Sequence, residues 1–558
     1  MTNRKGNSFK EDFRIALELR PQKLPTRSGK HGDYMKIFAN NKQLDHLKTK
    51  NWQVVFGRRG TGKTTLLGAF SEYIESEFRE NRACCMRINM LECMSDIKIG
   101  TKDPSCTSID DHTQARAHFA SLIENIGKKL FEIYATENNE SLIFKRSIFS
   151  PKKNAIYDKV LEIVGKCTIG IPAFEASQVS GQSSFLSFAR HKNSFASSIG
   201  LGLGLGLSGG GRANGEATVG CAGESGDEST MKQEVGVIYK IDFGEIKSDI
   251  EDLLQLLDIE TMYVLIDEWS EIDRVANSNV QPIFAEYLKR TFGGNGKFSI
   301  KIAAIRPQTK FICTYNGKTW GIEQGADIFP IDLDHVFGSG EINLVTFYEE
   351  LLFRHLSYCN SRLEIFASDA QSSPRPALNA KPNREFITYV FKNRKIFSDV
   401  IKGAGRIPRD FIEIIDHIAR ERDYSVEPLW GYGDIAGSIH NHYIKNKEIN
   451  IIKNVDEENS YKILVSKTKK NKNRLFLVKK NDDEQKRRII AEFYLQRIIH
   501  EVSPDQIPAE IGVSYDAYYA DFGILLDVSK KGNSFDDIVE ECPLSSGCSE
   551  DEISEYII

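Results

Sequence analysis

The chain has 558 residues, of which 41% are hydrophobic and 27% are charged. This length ordinarily means two to four domains, and the apolar content is ample for folded cores. The formal net charge of −5 is near neutral for this size, so the whole-molecule field does not indicate a nucleic-acid partner, which must be sought in a local basic region.

Cysteine usage and hydropathy indicate the cellular compartment of the protein. The ten cysteines are scattered without CxxC pairs, which favours reduced thiols over zinc ligands or disulfides. No stretch has the apolar length of a membrane span, and the polar N-terminus lacks a signal-peptide pattern. We therefore expect no membrane partner and a cytoplasmic location.

The first predicted elements lie before residue 90. A helix-like stretch over residues 34–47 precedes an apolar strand at 52–56, and we expect it to form a lid or adenine pocket. A glycine-rich run follows, and then residues 65–78 place Leu67, Phe70, Ile74 and Phe78 on one helical face. Residues 83–88 predict a second strand. This strand-run-helix context is the one in which a phosphate-binding loop occurs.

The glycine-rich run fits the pattern GxxxxGK[ST], and we call it the cradle; its residues are Gly57, Arg58, Arg59, Gly60, Thr61, Gly62, Lys63 and Thr64, followed by Thr65. Its glycines let successive backbone N–H groups point at a phosphate, and the helix that follows adds its partial positive charge. We expect Lys63 to reach the β- and γ-phosphates of ATP and Thr64 to hold Mg²⁺. Arg58 and Arg59 occupy optional positions that face either the γ-phosphate or solvent, and we favour solvent.

The middle of the chain interrupts this α/β pattern. Residues 115–134 have helical spacing, but residues 152–236 contain a Leu/Gly alternation at 199–207 within a Gly- and Ser-rich sequence. A flexible surface insertion is the favoured interpretation. A strand pair that extends the sheet or contacts a partner, and a lipid-contacting segment, are the alternatives.

A second half of the site follows the insertion. Residues 262–266 predict a buried strand that ends in Asp267 and Glu268, the pattern of a Walker B motif. Asp267 is expected to coordinate the metal, and Glu268 to act as the general base on the attacking water. Acidic residues often end strands, so this motif alone is weak evidence for a nucleotide site. The cradle upstream makes the interpretation convincing. The consecutive carboxylates favour hydrolysis over transfer to a small acceptor.

Further site candidates lie downstream of this strand. Helices are predicted at 243–257 and 280–292, with a strand at 299–305 placed beside the Walker B strand. Gln308, Thr309 and Arg306 then become candidates to sense the γ-phosphate, although an ordinary polar loop explains them nearly as well. Arg290 is a weaker candidate for an arginine finger that serves a neighbouring subunit, because arginines are common at helix ends.

A helical region at 347–420 contains a break at 403–411 that starts a new helix. Arg409 follows a proline at this helix start, where its guanidinium can point into the nucleotide cleft like a sensor 2 residue. Arg406 is the reserve, and a purely structural arginine is the alternative.

These motifs give the chain a family resemblance. The cradle with its arginines, the strand 264–268 followed by Trp269 and Ser270, and the helix start at 405–411 resemble the ORC/CDC6-like branch of AAA+ and STAND P-loop ATPases, some of which occur in antiphage defence loci. The resemblance covers roughly residues 34–420 without the insertion. It implies an ATP-bound α/β core, a helical lid and often a C-terminal winged helix. The insertion, and the lack of a clear sensor 1 asparagine, depart from that pattern.

The C-terminal part fits a winged helix only loosely, with a helix predicted at 486–502 and a small mixed domain continuing through 515–528. The basic stretch from Lys462 to Arg488 lies on a predicted hairpin or wing and is the candidate contact for duplex DNA; a solvated basic hairpin is an equal alternative. The acidic tail beyond residue 536 is expected to be a mobile end.

Together the patterns predict an α/β P-loop NTPase sheet with a helical lid and a small winged-helix-like α+β domain. The expected segments are 1–150 and 237–345 for the two parts of the core, 151–236 for the insertion, 346–425 for the lid, 426–535 for the winged-helix-like domain and 536–558 for the tail.

Two functions remain open. The first is an ATP-hydrolysing switch that acts on DNA or a partner protein, and we expect a homo-oligomer. The second is a nucleotide-binding scaffold with little turnover that assembles a separately encoded effector protein. A metabolite kinase is the least favoured interpretation, because the sequence shows no recognisable site for a small phosphate acceptor.

Overall fold

The computed structural model describes residues 2–24, 33–39, 42–77, 82–91, 111–139, 150–168, 241–272, 278–294, 296–315, 317–334, 343–366, 386–421, 430–451, 455–481, 483–502, 507–526, 544–545 and 547–557. The Leu/Gly alternation at 199–207 lies outside these residues, so the interpretations of it stay predictions. Among the described residues, no helix has both the length and the apolar character that crossing a bilayer requires.

Short apolar runs form a central parallel sheet. Its strands are β1 (Gln53–Phe56), β2 (Ala83–Asn89), β3 (Thr261–Asp267), β4 (Phe298–Ala304) and, after a hairpin, β7 (Phe329–Asp332). The hairpin strands are β5 (Ile312–Tyr315) and β6 (Lys318–Gly321). The order across the sheet is β2-β3-β4-β1-β7. Strand β4 therefore lies beside β3, as the sequence predicts, and its other neighbour is β1.

Helices cover both faces of this sheet, as a parallel sheet requires. Neighbouring residues on β1 and β3 face opposite ways: Val54 and Val264 belong to one hydrophobic core, and Val55 and Leu265 to the other. The helices of the core, in chain order, are α1 (Thr2–Lys23), α2 (Tyr34–Ile37), α3 (Gln43–Leu47), α4 (Lys63–Ser76), α5 (Asp111–Glu137), α6 (Pro151–Thr168), α7 (Phe243–Leu256) and α8 (Val280–Phe292).

Helix α6 changes the predicted start of the insertion. Residues 151–168 belong to the start of the predicted insertion, yet they form a helix that buries Ile156, Val160 and Ile163 in the core. Gly127 of α5 lies so close to Val160 that an added Cβ would be 2.8 Å from it. The first part of the insertion is therefore a folded piece of the core.

A group of helices follows the sheet and contacts both the cradle and the C-terminal residues. It consists of α9 (Leu344–Cys359), α10 (Arg394–Gly403), α11 (Pro408–Glu421) and α12 (Tyr432–Asn446). The N-terminal helix packs against this group, where Arg20 of α1 forms a buried ion pair with Asp416 of α11. Asn343 and Asn393 cap α9 and α10 by accepting bonds from backbone N–H groups.

The C-terminal region is a small antiparallel sheet with helices. It contains α13 (Val455–Asn471), β8 (Leu475–Lys479), α14 (Glu484–Leu495), β9 (Ile499–Glu501), α15 (Ala509–Ser514), β10 (Tyr515–Ala520) and α16 (Glu550–Ser554), with strand order β8-β10-β9. The predicted helix at 486–502 is wrong in its second half. The chain turns at Arg497, whose φ is +63°, and continues as a strand.

Two further C-terminal predictions are corrected. The basic stretch is not a hairpin, because it spans the end of α13, all of β8 and the start of α14. The end of the acidic tail is not a free end: Ile557 pairs with Leu477 of β8, and Ile553 and Tyr556 pack on the same small core. The described residues thus place a folded segment where the composition predicted a mobile one.

Candidate functional site

The cradle joins the end of β1 to the start of α4. Gly60 and Gly62 have φ values of +93° and +94°, a conformation that side chains disfavour, and Gly62 is the N-cap of α4. Thr61 is buried, and its Oγ1 donates to the carbonyl of Arg58 over 2.9 Å. Glycine is therefore needed where the loop curls, which is the local geometry that a phosphate-binding loop requires.

The first turn of α4 carries the predicted phosphate and metal ligands. Nζ of Lys63 donates to the carbonyls of Gly57 and Arg58 at 2.6 and 3.0 Å, so the ammonium folds over the loop. Thr64 and Thr65 follow it in the same turn and are half-buried. Burial lowers the pKa of Lys63 to about 8, against the charges of Asp334, Glu268 and Asp267.

The Walker B carboxylates lie at the end of β3. Asp267 is buried, and its Oδ1 accepts from the backbone N–H of Glu268 over 3.0 Å. Glu268 has a left-handed φ of +57°, which turns the chain abruptly off the strand. Burial and the charge of Asp267 raise the pKa of Glu268, while Lys63 opposes them. Cradle and carboxylates therefore act on each other electrostatically at one edge of the sheet.

A buried glutamine holds the residues after β3 and β4 together. Oε1 of Gln281 accepts from the indole of Trp269 over 2.9 Å, and its Nε2 donates to the carbonyl of Gln308 over 3.0 Å. Ser270 accepts from the N–H of Ile305 over 3.1 Å. Gln308 thus lies at the same edge as the Walker B turn, although these contacts involve its backbone. The sequence did not identify Gln281 as a site residue, because glutamines are common in helices and no motif includes this one.

The other polar residues near this edge have defined partners. Arg306 forms an ion pair with Asp332 of β7, and its guanidinium lies 4.5 Å from the ring centre of Phe56. Arg290 pairs with Glu286 over 2.7 Å within α8. The C-terminal end of α8 leads into β4, at the opposite edge of the sheet from the cradle. An arginine finger from Arg290 to a neighbouring subunit stays a prediction.

Helix α11 begins directly against the cradle. The N–H of Arg409 donates to the carbonyl of Gly60 over 3.1 Å. A Cβ on Gly60 would lie 2.7 Å from Cβ of Arg409. Burial lowers the pKa of Arg409, as does Arg497, while Glu268 is among the acidic groups that raise it. The structure therefore brings Arg409 to the cradle, and its role as a sensor 2 residue stays a prediction.

Arg58 corrects the prediction that both cradle arginines face solvent. Its side chain is 6% exposed, and its Nε donates to Oδ1 of Asp334 over 2.7 Å. Burial alone would lower the pKa of Arg58, but the charge and the hydrogen bond of Asp334, together with the charges of Tyr494 and Asp410, raise that pKa. Arg59 is 55% exposed, with Glu271 at 3.8 Å. Only Arg59 is therefore available at the surface.

Beyond Asp334, Arg58 contacts the C-terminal sheet. Its NH1 group bonds to Nδ1 of His500, a buried residue of β9. The hydroxyl of Tyr494 on α14 donates to Oδ2 of Asp334 over 2.8 Å. Gly405, between α10 and α11, lies directly against the His500 ring, which an added Cβ would overlap. The cradle, the residues before α11 and the C-terminal sheet thus meet at one histidine.

A chain of buried charges continues from His500. Its Nε2 bonds to Oδ2 of Asp521 over 3.0 Å, and Lys447 lies 2.7 Å from the same carboxylate and 2.8 Å from Asp410. Arg497 completes the set at 2.6 Å from Asp410. The carboxylate of Asp410 follows Arg409 in the chain, so this network returns to the lid. Sequence reading missed its members, apart from Arg58.

The pKa shifts of this network follow from burial and pairing. Burial lowers the pKa of His500 to about 3, and the charge of Arg58 adds to this effect. Lys447 and His500 lower the pKa of Asp521 even though burial opposes them. Because Nδ1 of His500 faces the Arg58 guanidinium, the neutral ring carries its proton on Nε2, which donates to Asp521.

The predicted adenine pocket is a separate feature. Tyr34 of α2 packs on Gly68 of α4, where an added Cβ would be 2.5 Å from the ring. Glu72 accepts from the N–H groups of Tyr34 and Met35 over 2.7 and 2.8 Å. The region is attached to the cradle helix, and an adenine pocket there stays a prediction.

No protein-family model matches the chain, and no relative was found among curated proteins. The case for a function therefore depends on the residues and their geometry.

Proposed function

We propose that this chain is a magnesium-dependent ATPase that works as a conformational switch. The observation that carries the proposal is that Lys63, at the start of α4 after β1, and Asp267 and Glu268, at the end of β3, follow strands of one parallel sheet at the same edge. A cation on a glycine-rich loop and two carboxylates at one sheet edge are the parts that phosphoryl chemistry on a nucleotide needs. The AAA+ or STAND-like resemblance of the sequence agrees with this assignment.

Each residue has a proposed role. Backbone N–H groups of the cradle and Lys63 bind the phosphates, and the hydroxyl of Thr64 and the carboxylate of Asp267 are hard oxygen donors suited to Mg²⁺. When bound, the ion would neutralise charge on the phosphate oxygens. Glu268 accepts the proton of the attacking water, a role that its raised pKa favours. Arg409 and Gln308 are the proposed sensors of the terminal phosphate.

The switch is proposed from the contacts of Arg58. This cradle residue contacts both Asp334 and the C-terminal residue His500, and the lid residue Arg409 bonds to Gly60. A phosphate that moves the cradle therefore disturbs the Arg58 contacts, and through them the C-terminal sheet. Such a small displacement is amplified because buried ion pairs have few alternative arrangements. The readout would be a changed position of the C-terminal sheet.

A scaffold with little turnover is the second candidate. The folded-back Lys63 ammonium and the buried Arg58 side chain favour it, because both hold the cradle in internal contacts. Its effector would be a separately encoded protein.

For the switch, the proposed partner is duplex DNA, which would bind the exposed cations of the basic stretch from Lys462 to Arg488.

ATP turnover measured with and without duplex DNA tests the proposal. A switch that acts on DNA hydrolyses ATP and changes its rate when DNA is added. A scaffold binds ATP with a turnover that stays near background under both conditions. Absence of ATP binding by the intact chain would contradict both candidates.

A further inference from the structure

The C-terminal segment 547–557 is attached to the outer edge of the small sheet. The carbonyl of Tyr556 accepts from the N–H of Leu477 on β8 over 2.8 Å, and Ile557 pairs with the same residue. Helix α16 is capped by Ser549, whose Oγ accepts from the N–H of Glu552 over 3.3 Å. Ile553 and Tyr556 pack against the apolar core around Leu477. This segment covers an edge that would otherwise offer unpaired backbone groups.

The same attachment brings acidic residues to the basic end of α13. Nζ of Lys467 donates to the carbonyl of Ile557, and Nδ2 of Asn471 donates to that of Glu555 over 3.4 Å. Among the side chains whose exposure the structure describes, the segment exposes three carboxylates and the end of α13 exposes three ammonium groups. They are Asp551, Glu552 and Glu555 on the segment, and Lys469, Lys470 and Lys472 on α13 and the residue after it.

We propose that the C-terminal segment is a built-in competitor for a polyanion, and that it weakens binding of duplex DNA to the basic end of α13. The inference depends on the proposed DNA partner, and it adds a way in which DNA binding is regulated. Two observations support it. Backbone pairing and apolar contacts hold the segment in place, and the bonds from Lys467 and Asn471 place its backbone against the end of α13 that carries the exposed ammonium groups.

The rest of the basic stretch differs from this end. Lys479, Lys480 and the cations at 486–488 lie at the other end of β8, about 17 Å away for a five-residue strand. That end is next to the start of α13, because Gln485 donates to Asp456 over 2.9 Å. Charges separated by more than about 10 Å are largely screened at ordinary salt concentrations. The segment therefore acts mainly on the ammonium groups at the end of α13.

The test is the affinity of the full chain for a labelled random-sequence duplex, measured by fluorescence anisotropy. In the variant D551N/E552Q/E555Q the side chains keep their size, and the amide oxygen that replaces the Glu552 carboxylate can still accept from the N–H of Ser549 at the start of α16. We expect affinity to rise roughly tenfold at about 50 mM salt, and the gain to shrink towards about 200 mM salt. Deleting the segment is a poorer test, because it also removes Ile553 and Tyr556 from the core.

The control D45N/E132Q/E260Q makes the same change in net charge at exposed positions of the nucleotide-binding core. Their side chains are 69%, 52% and 62% exposed. Adding K469Q/K470Q/K472Q to the segment variant should abolish its gain. If the segment variant gains no more than the control while DNA still binds, the competitor proposal is wrong and the DNA partner stands. If no variant binds the duplex, the DNA partner itself is contradicted.

Discussion

The side chain of Arg58 donates to Oδ1 of Asp334 over 2.7 Å, and the backbone N–H of the same arginine donates to Oδ2 over 2.9 Å. One carboxylate therefore fixes both the side chain and the backbone of the second cradle residue. Because Asp334 also accepts from Tyr494 on α14, it gives the cradle a second connection to the C-terminal region, beside the direct bond of Arg58 to His500.

Replacing Asp334 by Asn should destabilise the fold by about 3 kcal/mol, because it leaves the buried Arg58 without its counter-charge. The matched control is D332N, two residues earlier, whose partner Arg306 is 48% exposed. An exposed pair of this kind contributes about 1 kcal/mol or less. Urea unfolding of the three proteins measures both values, and equal losses in the two variants would count against a special role for Asp334.

The Tyr494 hydroxyl offers a milder test of the same connection. The variant Y494F removes only the 2.8 Å bond to Asp334, which should cost about 1 kcal/mol. If the bond couples the cradle to the C-terminal sheet, hydrogen exchange at β9 should become faster and less sensitive to added ATP. Unchanged exchange, together with an unchanged response to ATP, would show that the coupling does not run through this bond.

The two left-handed cradle glycines form a natural pair of tests. Alanine at Gly60 or Gly62 adds backbone strain of about 1 kcal/mol, because both have a positive φ. At Gly60 the new Cβ also meets Cβ of Arg409 at 2.7 Å, while at Gly62 it meets nothing within 4 Å. G60A should therefore lose clearly more stability and displace the start of α11. Equal thermal unfolding of the two variants would contradict this placement of the lid.

Much of this site followed from the sequence because its parts are local. The cradle, Lys63, Asp267 and Glu268 come from short patterns around β1 and β3, and the strand order agreed with the expected position of β4. The partners of Arg58 could not be found that way. Asp334 lies 276 residues from Arg58 and His500 lies 442 residues away, and each is an isolated polar residue without a periodic pattern.

The C-terminal errors have a similar origin. Ile489, Phe493 and Ile499 continue an apolar spacing across Arg497, and nothing in that spacing reveals its left-handed φ. The acidic composition after residue 536 hid Ile553, Tyr556 and Ile557, whose apolar side chains determine where the segment packs. Composition describes the average polarity of a segment, whereas its packing against the core depends on a few apolar residues.

Burial of His500 predicts acid sensitivity. Its pKa is lowered to about 3 in the folded chain and is about 6.5 when unfolded, so only the unfolded state takes up a proton between these values. Stability should therefore fall as pH drops from about 6.5 towards 3, with about 2 kcal/mol lost to this group at pH 5. The variant H500Q cannot titrate and should show a flatter profile from about pH 6.5 to 5. Parallel unfolding profiles for the two proteins would refute the assignment.

Lys63 predicts an alkaline limit on nucleotide binding. Its pKa is lowered to about 8 by burial, so the free cradle loses this positive charge above that pH. Phosphate binding favours the charged form, and ATP affinity should fall by up to about tenfold per pH unit above 8. K63R stays charged and should lack this decline. Titration calorimetry in buffers of different ionisation enthalpy would detect the linked proton uptake, and its absence would contradict the lowered pKa.

The most direct measurement is ATP turnover by E268Q beside wild type and K63A, with ATP binding recorded for each protein. E268Q should bind ATP normally and lose on the order of a hundredfold or more in turnover, because it lacks the general base. K63A should lose binding itself. Normal turnover by E268Q, or normal ATP binding by K63A, would contradict the assignment of this site.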